Sequence, residues 1–319
     1  MRTALAFMLV GALVWPRLQD RFFPGTLRVV FLDVGQGDSA WIRFPSGQNW
    51  LVDAGGGTKR WDRGLRDIYL ELARSGVLSL EAAVLSHPDS DHVLGFRGLV
   101  DGIHLQRLYF NAATPPEQHP VFERVAGVVQ SAGTSLASIG STQDFEVDGV
   151  EVKLIPIDAG KSKNNRPLAV LLQWGGCRVL LGGDAEAKAE AWLAQNLAPV
   201  DLWKVHHHGS RTSSQKAFLK KLKPRLAVVS SGAGNRYGHP AREVLGRLRN
   251  AGVQTERIDF EGAVEYTIAS GEIRCRSTRG DCGKIRCLPV INEVRSGLES
   301  ERAADNAHFQ VDSELSATR

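Results

Sequence analysis

The stretch "LSHPDSDHVLGF", Leu85–Phe96, places two histidines and two aspartates within six positions, between an apolar run and a segment that contains glycine. Neighbouring carboxylates in a compact site raise each other's pKa, whereas a bound divalent cation keeps them ionised. A turn in which Asp89 and Asp91 merely cap the following helix would leave His87 and His92 unexplained. The stretch therefore predicts a metal-binding loop.

The spacing within this loop indicates two ligand pairs. Pro88 disfavours helical backbone at His87, so His87 and Asp89 should lie on one side of an extended segment. Asp91 and His92 follow the turn and should point elsewhere. One ion could be bound by the first pair and a second ion by the other.

The composition is that of an ordinary globular protein. The chain has 319 residues, of which 43% are hydrophobic and 23% are charged, so it can bury a sizeable core. Its formal net charge of +4 is too small to indicate a polyanionic partner unless the basic residues cluster on one face.

Short apolar runs alternate with segments of helical spacing, and this pattern predicts an α/β fold. The expected strands span residues 27–34, 40–44, 49–54, 82–86, 151–155, 168–174, 178–183, 201–205, 226–230 and 263–269. Helical spacing is found at Leu65, Ile68 and Leu72, at Phe122, Val125 and Val129, and over residues 185–197. Two halves of mixed sheet, each covered by helices, predict a four-layer α/β/β/α sandwich over residues 27–273.

The two ends of the chain differ from the middle. Residues 1–26 include "ALAFMLVGALVW", which is shorter than the roughly 20 apolar residues of a spanning helix. The alternatives for this segment are a membrane anchor, a signal peptide and a frayed start. Residues 274–319 contain three cysteines and then a polar stretch, from about Asn292, that is expected to be disordered.

The cysteines are expected to be either disulfide-bonded or free thiols. Cys275, Cys282 and Cys287 lie close together in the sequence, Cys177 lies apart, and the absence of a C-x-x-C pair argues against structural zinc. Disulfides are expected only if this region faces an oxidising compartment.

Two further polar clusters follow predicted strands. In "LLGGDAE", Asp184 follows two glycines that permit close backbone approach, and it is either a helix N-cap or a ligand that bridges two ions. In "KVHHHGSRTSS", neighbouring histidine side chains diverge, so one or at most two of the three should be ligands. Thr212 and Gln215 fit a capping box, and the exposed amides there, with Ser210 and Arg211 nearby, would suit a phosphate oxygen.

A fourth loop, "SSGAGNRYGHP", follows the strand predicted at residues 226–230. Turn chemistry explains most of it. Asn235 and His239 are its candidate substrate-binding residues.

In this order, these segments, together with "FLDVGQGDSAWIRFPSGQNWLVDAGGG", resemble the metallo-β-lactamase-fold domain of ComEC-type competence proteins, which take up DNA. The resemblance covers about residues 27–268. It implies that the domain lies beside a membrane channel and degrades the DNA strand that is not imported.

The resemblance also implies roles for individual residues. The metal ligands would be His87, Asp89, Asp91, His92, Asp184 as the bridging carboxylate, and His207. Asp91 and His208 would take part in catalysis, with His208 next to the substrate. Asp33, Asp38 and Asp53 would orient histidines through carboxylate–histidine contacts. His206 stands where the family usually has proline, so it is expected to be dispensable.

The ligand set favours a hard cation. Asp89 stands where many proteins of the wider fold have a third histidine, and this oxygen-rich site favours Mn²⁺, with Zn²⁺ or Mg²⁺ as alternatives, in one or two ions. The expected function is that of a metal-dependent deoxyribonuclease. We expect it to be membrane-associated through the N-terminal segment, to lie on the extracytoplasmic side, and to have DNA and an uptake channel as partners. The alternatives are a hydrolase for a lactam or thioester and a catalytically silent DNA-binding or assembly module.

Overall fold

The computed structural model describes residues 25–57 and 62–287, which belong to one compact unit that ends at Cys287. The expected N-terminal anchor or signal segment and the polar stretch after Asn292 lie outside the described residues. Within the described part of the chain, no helix is both long enough and apolar enough to cross a bilayer.

Eighteen strands are found among the described residues. In chain order they are β1 (Leu27–Phe31), β2 (Ala40–Arg43), β3 (Asn49–Val52), β4 (Ser79–Leu80), β5 (Ala82–Val84), β6 (His104–Leu105), β7 (Arg107–Asn111), β8 (Ser135–Ile139), β9 (Gln143–Val147), β10 (Val150–Pro156), β11 (Leu168–Trp174), β12 (Cys177–Leu181), β13 (Leu202–Lys204), β14 (Leu226–Val229), β15 (Gln254–Arg257), β16 (Val264–Ala269), β17 (Glu272–Ser277) and β18 (Gly280–Arg286).

The strands form two large mixed sheets. The first has nine strands in the order β18-β17-β16-β1-β2-β3-β5-β7-β8, and the second has seven in the order β15-β14-β13-β12-β11-β10-β9. Strands β4 and β6 pair separately as a short two-stranded ribbon.

The helices connect the strands and cover the outer faces of the sheets. The α-helices are α1 (Tyr69–Arg74), α2 (Ser90–Val93), α3 (Phe96–Leu99), α4 (Pro120–Ser131), α5 (Ala187–Asn196), α6 (Lys216–Leu222), α7 (Arg242–Asn250) and α8 (Ile258–Glu261). A π-helical turn at Gly64–Ile68 precedes α1, and short 3-10 turns lie at Pro116–Gln118, Lys163–Asn165 and His206–Gly209.

Three hydrophobic clusters separate four layers, which confirms the predicted α/β/β/α sandwich. Alternate side chains of β1 point to opposite faces: Val29 and Phe31 join the core between the sheets, and Val30 joins the core beneath the first set of helices. A third cluster packs α5 on the second sheet through residues such as Leu193 and Trp203. Both faces of each sheet are therefore covered.

The domain boundary expected at Ile273 is wrong, because that residue lies inside a strand. β17 pairs with both β16 and β18, and Ile273 and Cys275 point into the core between the sheets. Two disulfides, Cys275–Cys282 and Cys177–Cys287, fix this region. The part of residues 274–319 that the structure describes, up to Cys287, is thus an integral part of the first sheet.

The parallel strands bring distant loops to one edge. β3 runs parallel to β5, and β13 runs parallel to both β12 and β14. Parallel strands deliver the loops after their carboxyl ends to the same side of a sheet. The segments that follow these strands begin near Asp53, Ser86, Asp184, His206 and Ser230.

Candidate metal centre

Asp184 lies at the centre of a cluster of histidines. Its Oδ2 atom is 3.8 Å from Nε2 of His87, 3.5 Å from Nε2 of His92, 3.7 Å from Nε2 of His207 and 3.4 Å from Nε2 of His208. Except for the partly exposed His207, all of these side chains are almost fully buried. The first loop, the Gly-Gly-Asp segment and the histidine run therefore meet at one carboxylate.

Hydrogen bonds at Nδ1 hold three of these rings with Nε2 towards Asp184. His92 Nδ1 lies 2.8 Å from Asp53 Oδ2, and His208 Nδ1 lies 2.9 Å from the Ser230 carbonyl oxygen. His87 Nδ1 is 3.0 Å from Ser86 Oγ, which itself donates to Asp53 Oδ2 at 2.7 Å. Such contacts fix the tautomer and the ring orientation of metal-binding histidines.

Of the two ligand pairs expected in the first loop, His87 and Asp89 lie close together, but no candidate ligand group of the described residues includes Asp89, and Asp91 is grouped with both His92 and His208. Asp89 Oδ2 is 3.2 Å from His87 Nε2, and its other oxygen forms an ion pair with Lys163. Asp91 Oδ2 is 3.2 Å from His208 Nε2. Asp89 occupies the N-cap position of α2, but its side chain makes no capping hydrogen bond, so helix capping does not explain it.

The backbone of the histidine run turns through the left-handed region. His207 has φ 50° and His208 has φ 53°, values that residues other than glycine seldom adopt. Because two consecutive residues turn this way, both imidazoles reach Asp184 although neighbours on a regular strand diverge. Strained backbone of this kind is concentrated at functional sites.

The Gly182–Gly183 pair permits close approach before Asp184. A Cβ atom at Gly182 would lie 2.4 Å from His206 Nε2, and one at Gly183 would lie 2.6 Å from Ser86. The following helix, α5, begins at Ala187 with Glu186 at its N-cap position. The N-cap alternative for Asp184 therefore fails, and the carboxylate faces the histidines instead.

Lys204 is a site residue that the sequence reasoning missed. It lies at the end of β13, its ammonium forms an ion pair with Asp38, and Nζ is 3.5 Å from Asp184 Oδ1 and 3.3 Å from the Gly183 carbonyl oxygen. A lysine within the apolar run "DLWKV" was the available signal, because a buried ammonium requires a partner. Its charge offsets part of the negative charge at the centre.

The buried carboxylates and imidazoles stabilise one another's charged forms. Burial alone would raise the pKa of Asp184, but His208, His92 and Lys204 lower it well below its ordinary value. Burial would likewise lower the pKa of His92 and His208, yet Asp184 and Asp38 raise the pKa of both rings well above the usual value. The protein without metal thus holds protons on these imidazoles to balance the carboxylates.

The donor set fits divalent metal ions. Two groups, His87–His92–Asp184 and Asp91–His92–His208, each have ligand atoms within 4.8 Å of one another. Within the described residues, His92 Nε2, His208 Nε2 and Asp184 Oδ1 are buried and make no hydrogen bond. Buried polar atoms without partners are costly, and a cation would satisfy the two imidazole nitrogens.

The structure gives His207 and His208 different positions from those expected. His208, expected beside the substrate, belongs to the ligand group of Asp91 and His92. His207, expected as the ligand, is the more exposed of the two and also lies 3.4 Å from Glu186 through Nδ1. Both remain within reach of Asp184.

His206 is buried in the fold, a structural position that the sequence did not reveal. It is fully buried, its Nδ1 lies 2.8 Å from Glu190 Oε1, and its Nε2 accepts a hydrogen bond of 3.1 Å from Trp203. The ring contacts Glu190 on α5, Trp203 on β13 and Phe218 on α6, between the second sheet and its helices, so its role is structural.

The predicted phosphate site at the start of α6 is also wrong. The helix begins at Lys216 with Gln215 at its N-cap position, and there is no capping box with Thr212. The Ser214 and Gln215 amides donate instead to the carboxylate of Glu190, at 2.6 and 2.8 Å. An internal anion already occupies the place expected for a phosphate.

Two other expected roles change. Asp33 is exposed and accepts a hydrogen bond from the Gly35 amide, so it does not orient a histidine. The Asn235 amide donates to the carbonyl oxygens of Gly232 and His239, while its Oδ1 accepts from the His239 amide. Asn235 therefore shapes its loop rather than facing a substrate.

The remaining predicted residues lie around the centre. Asp38 Oδ1 is 3.3 Å from His208 Nδ1, and Asp53 contacts His92 as described, so both meet histidines as expected. The His239 ring is 5.8 Å from that of His207, and burial with these neighbouring imidazoles lowers its pKa to about 4.

Ser210 and Arg211 follow the histidine run directly. Ser210 Oγ lies 3.0 Å from Thr212 Oγ1, and the exposed Arg211 pairs with Glu243 at 3.2 Å.

A family model of the metallo-beta-lactamase superfamily matches residues 32–233, and the chain belongs to this superfamily. The fold and the His/Asp centre are those of a metal-dependent hydrolase that binds divalent metal. CmlA, a diiron beta-hydroxylase from Streptomyces venezuelae, shares the fold with a TM-score of 0.50 and 14% identity, over 77% of this chain and 54% of that one.

Nearer relatives are competence and recombination proteins. The chain is 28% identical over 255 residues to ComE operon protein 3 of Bacillus subtilis (strain 168), an alignment that covers 75% of this chain and 32% of the relative. It is 29% identical over 252 residues to Recombination protein 2 of Haemophilus influenzae, covering 78% and 29%. The predicted resemblance to ComEC-type competence proteins is confirmed, although the chain spans only about a third of the length of these relatives.

Proposed function

We propose that this chain is a metal-dependent phosphodiesterase that cleaves DNA during uptake. The observation that carries the proposal is the position of Asp184, a carboxylate that can bridge two ions and whose Oδ2 atom lies 3.4 to 3.8 Å from the Nε2 atoms of four histidines. Sites for two ions suit phosphodiester cleavage, because one ion can assist the attacking oxygen and the other the leaving oxygen. The likeness to ComE operon protein 3 supports DNA as the substrate.

Each protein group has a definable task in such a reaction. Bound divalent ions would supply a hydroxide near neutral pH and polarise a phosphodiester oxygen. Asp53 and the Ser230 carbonyl hold His92 and His208 in the ligand orientation. His208, His92 and Lys204 together lower the pKa of Asp184, and Lys204 contacts Oδ1 while Oδ2 faces the histidines. Burial and the neighbouring imidazoles lower the pKa of His239 to about 4, so this ring is neutral near pH 7 and can accept a hydrogen bond.

We propose Mn²⁺ as the working metal. Asp89, Asp91 and Asp184 make the candidate ligand set rich in oxygen, and hard oxygen ligands favour Mn²⁺ or Mg²⁺ over Zn²⁺.

A rim of aromatic and basic side chains beside the centre suits a nucleotide substrate. The half-exposed Tyr237 ring stacks on His239 with centroids 5.7 Å apart, and the Arg236 guanidinium lies 4.9 Å from the Tyr237 centroid. Exposed aromatic and guanidinium planes stack on nucleic acid bases without regard to sequence.

We further propose that the domain works on the extracytoplasmic side, beside a DNA-uptake channel and anchored through the N-terminal segment. Two disulfides support an oxidising compartment, because cytosolic thiols are normally kept reduced. The greater length of the competence relatives supports a separate channel partner or an adjoining channel region.

The test is turnover of end-labelled single- and double-stranded DNA with added Mn²⁺, alongside a β-lactam and a thioester. Cleavage of DNA alone, lost in Asp184→Ala, is the expected result. Hydrolysis of the lactam or thioester without DNA cleavage would contradict the proposal. DNA binding without turnover under any metal would instead indicate a silent binding module.

A further inference from the structure

A basic cavity lies between α6 and α7, outside the metal centre. It has a volume of about 390 Å³ and is lined by Lys216, Leu219, Lys220, Arg247, Asn250 and Ala251. Three of the six lining side chains carry positive charge, and none carries negative charge. We call these six residues the basic groove.

Two of the three cations of the basic groove have no ion-pair partner among the described residues. Among the described residues, no ion pair involves Lys216 or Lys220, both of which are exposed. Glu243 on α7 forms an ion pair with Arg211 at 3.2 Å and also interacts electrostatically with Arg247. The Nε atom of Arg247 is buried and makes no hydrogen bond within the described part of the chain. The two unpaired lysines beside Arg247 give the groove a positive charge that an anionic ligand would neutralise.

The basic groove is connected to the metal centre through one loop. Arg247 Nη2 donates to the Arg211 carbonyl oxygen at 3.5 Å. Arg211 follows His208 by three residues, so their Cα atoms are at most about 11 Å apart. A strand bound at the metal centre could therefore continue along Arg211 into the groove.

We propose, on the basis of the proposed nuclease function, that the basic groove binds the sugar-phosphate backbone of the nucleic acid substrate next to the cleaved bond. Lys216 and Lys220 are neighbours on one face of α6 because they are four residues apart. Together with Arg247 they place cations on both helices that flank the basic groove. Cations distributed along the basic groove suit a nucleic acid strand, because proteins bind such a strand by neutralising several of its phosphates.

The test compares two variants of the full chain that lose the same charge. In the first, Lys216→Gln is combined with Lys220→Gln. In the control, Lys221→Gln is combined with Lys284→Gln, two exposed lysines that do not line the groove. Fluorescence anisotropy in EDTA measures binding of labelled single-stranded DNA of about 20 nucleotides without cleavage.

The groove variant should bind about tenfold more weakly, and the slope of log affinity against log salt should become shallower by roughly 1.4, since two phosphate contacts are lost. The control should bind like the wild type. Equal affinity of the two variants would overturn the proposal. Binding of phosphatidylglycerol vesicles that depends on Lys216 and Lys220, without an effect on DNA, would also overturn it in favour of a membrane contact.

A separate measurement distinguishes this proposal from the proposed function. Wild-type hydrolysis of bis(p-nitrophenyl) phosphate with Mn²⁺ reports the phosphodiesterase activity on a substrate too small to span both sites. Hydrolysis together with equal DNA binding by the two variants would refute only the groove. No hydrolysis together with a binding difference would refute only the phosphodiesterase.

Discussion

Glu190 Oε1 lies 2.8 Å from His206 Nδ1, and both side chains are fully buried. The same carboxylate accepts the amides of Ser214 and Gln215. One residue of α5 therefore holds the segments before and after His207 and His208. The geometry of the metal centre depends on this carboxylate, although it touches none of the candidate ligands.

Glu190→Ala should lower the free energy of unfolding by about 3 kcal/mol or more, because buried amides and an imidazole lose their partner. Guanidinium unfolding measures the change. Glu123→Ala is the matched control, since Glu123 is exposed and is likewise the fourth residue of its helix. The control should stay within about 0.5 kcal/mol of wild type. A similar loss in both variants would argue against the proposed role of Glu190.

His206→Ala should also destabilise the fold, while the folded fraction keeps its cleavage activity at saturating Mn²⁺, because the His206 ring lies between the second sheet and its helices. Asp184→Ala, His207→Ala and His208→Ala should still fold and should each lose at least about 100-fold in activity. Asp184→Ala should also lose stability, because Lys204 and the imidazoles lose a buried partner. Circular dichroism and turnover of labelled DNA make the comparison. Full activity of Asp184→Ala would show that the carboxylate does not bridge two ions.

Removal of metal should abolish activity. Elemental analysis should find up to two divalent ions per chain, EDTA should eliminate turnover, and Mn²⁺ should restore it best because of the oxygen-rich ligand set. Undiminished turnover after EDTA treatment and extensive dialysis would contradict the metal mechanism.

Metal binding should release protons and strengthen with rising pH. Without metal, the carboxylates around His92 and His208 raise the pKa of both rings well above the usual value, so both are protonated near neutral pH. A ligand histidine must give up that proton. Calorimetric titration with Mn²⁺ in buffers of different ionisation enthalpy should show the release. The same heat in every buffer would show that the rings are already neutral.

The chain should tolerate removal of residues 288–319 but not truncation after Ile273. The shorter form loses β18, part of β17 and three cysteines. The Cys177–Cys287 link closes a loop of 110 residues, and a link across such a loop contributes about 4–5 kcal/mol in the chain-entropy description. Thermal unfolding under oxidising and reducing conditions tests both forms. A cooperative transition of the Ile273 form, equal to that of the longer form, would refute the expectation.

Periodicity and strand ends predicted the layers and the residues that meet at Asp184. Apolar runs such as β12 are buried on both faces, and loops after parallel strands converge whatever their separation in the sequence. The apolar runs and the polar residues directly after them can both be recognised from short segments of the sequence.

The missed features depend on contacts between distant segments. β17 alternates Ile273 and Cys275 with charged residues, a pattern that resembles a polar tail until its partner strand is known. The pairing of Lys204 with Asp38 joins β13 of the second sheet to the loop between β1 and β2 of the first. The sequence motif predicted that the amides near Gln215 bind phosphate, but they donate to the carboxylate of Glu190. Glu190 is distant in the sequence, so the local pattern could not reveal it.

The Cys177–Cys287 disulfide has a mechanical consequence. β18 is an outermost strand of its sheet, and a pull on an edge strand separates its hydrogen bonds one after another at low force. Cys177, however, lies in β12, the central strand of the opposite sheet. Tension on the chain beyond Cys287 would therefore pass through the two sulfur atoms to the best-anchored strand of the molecule, and the edge would carry little of the load.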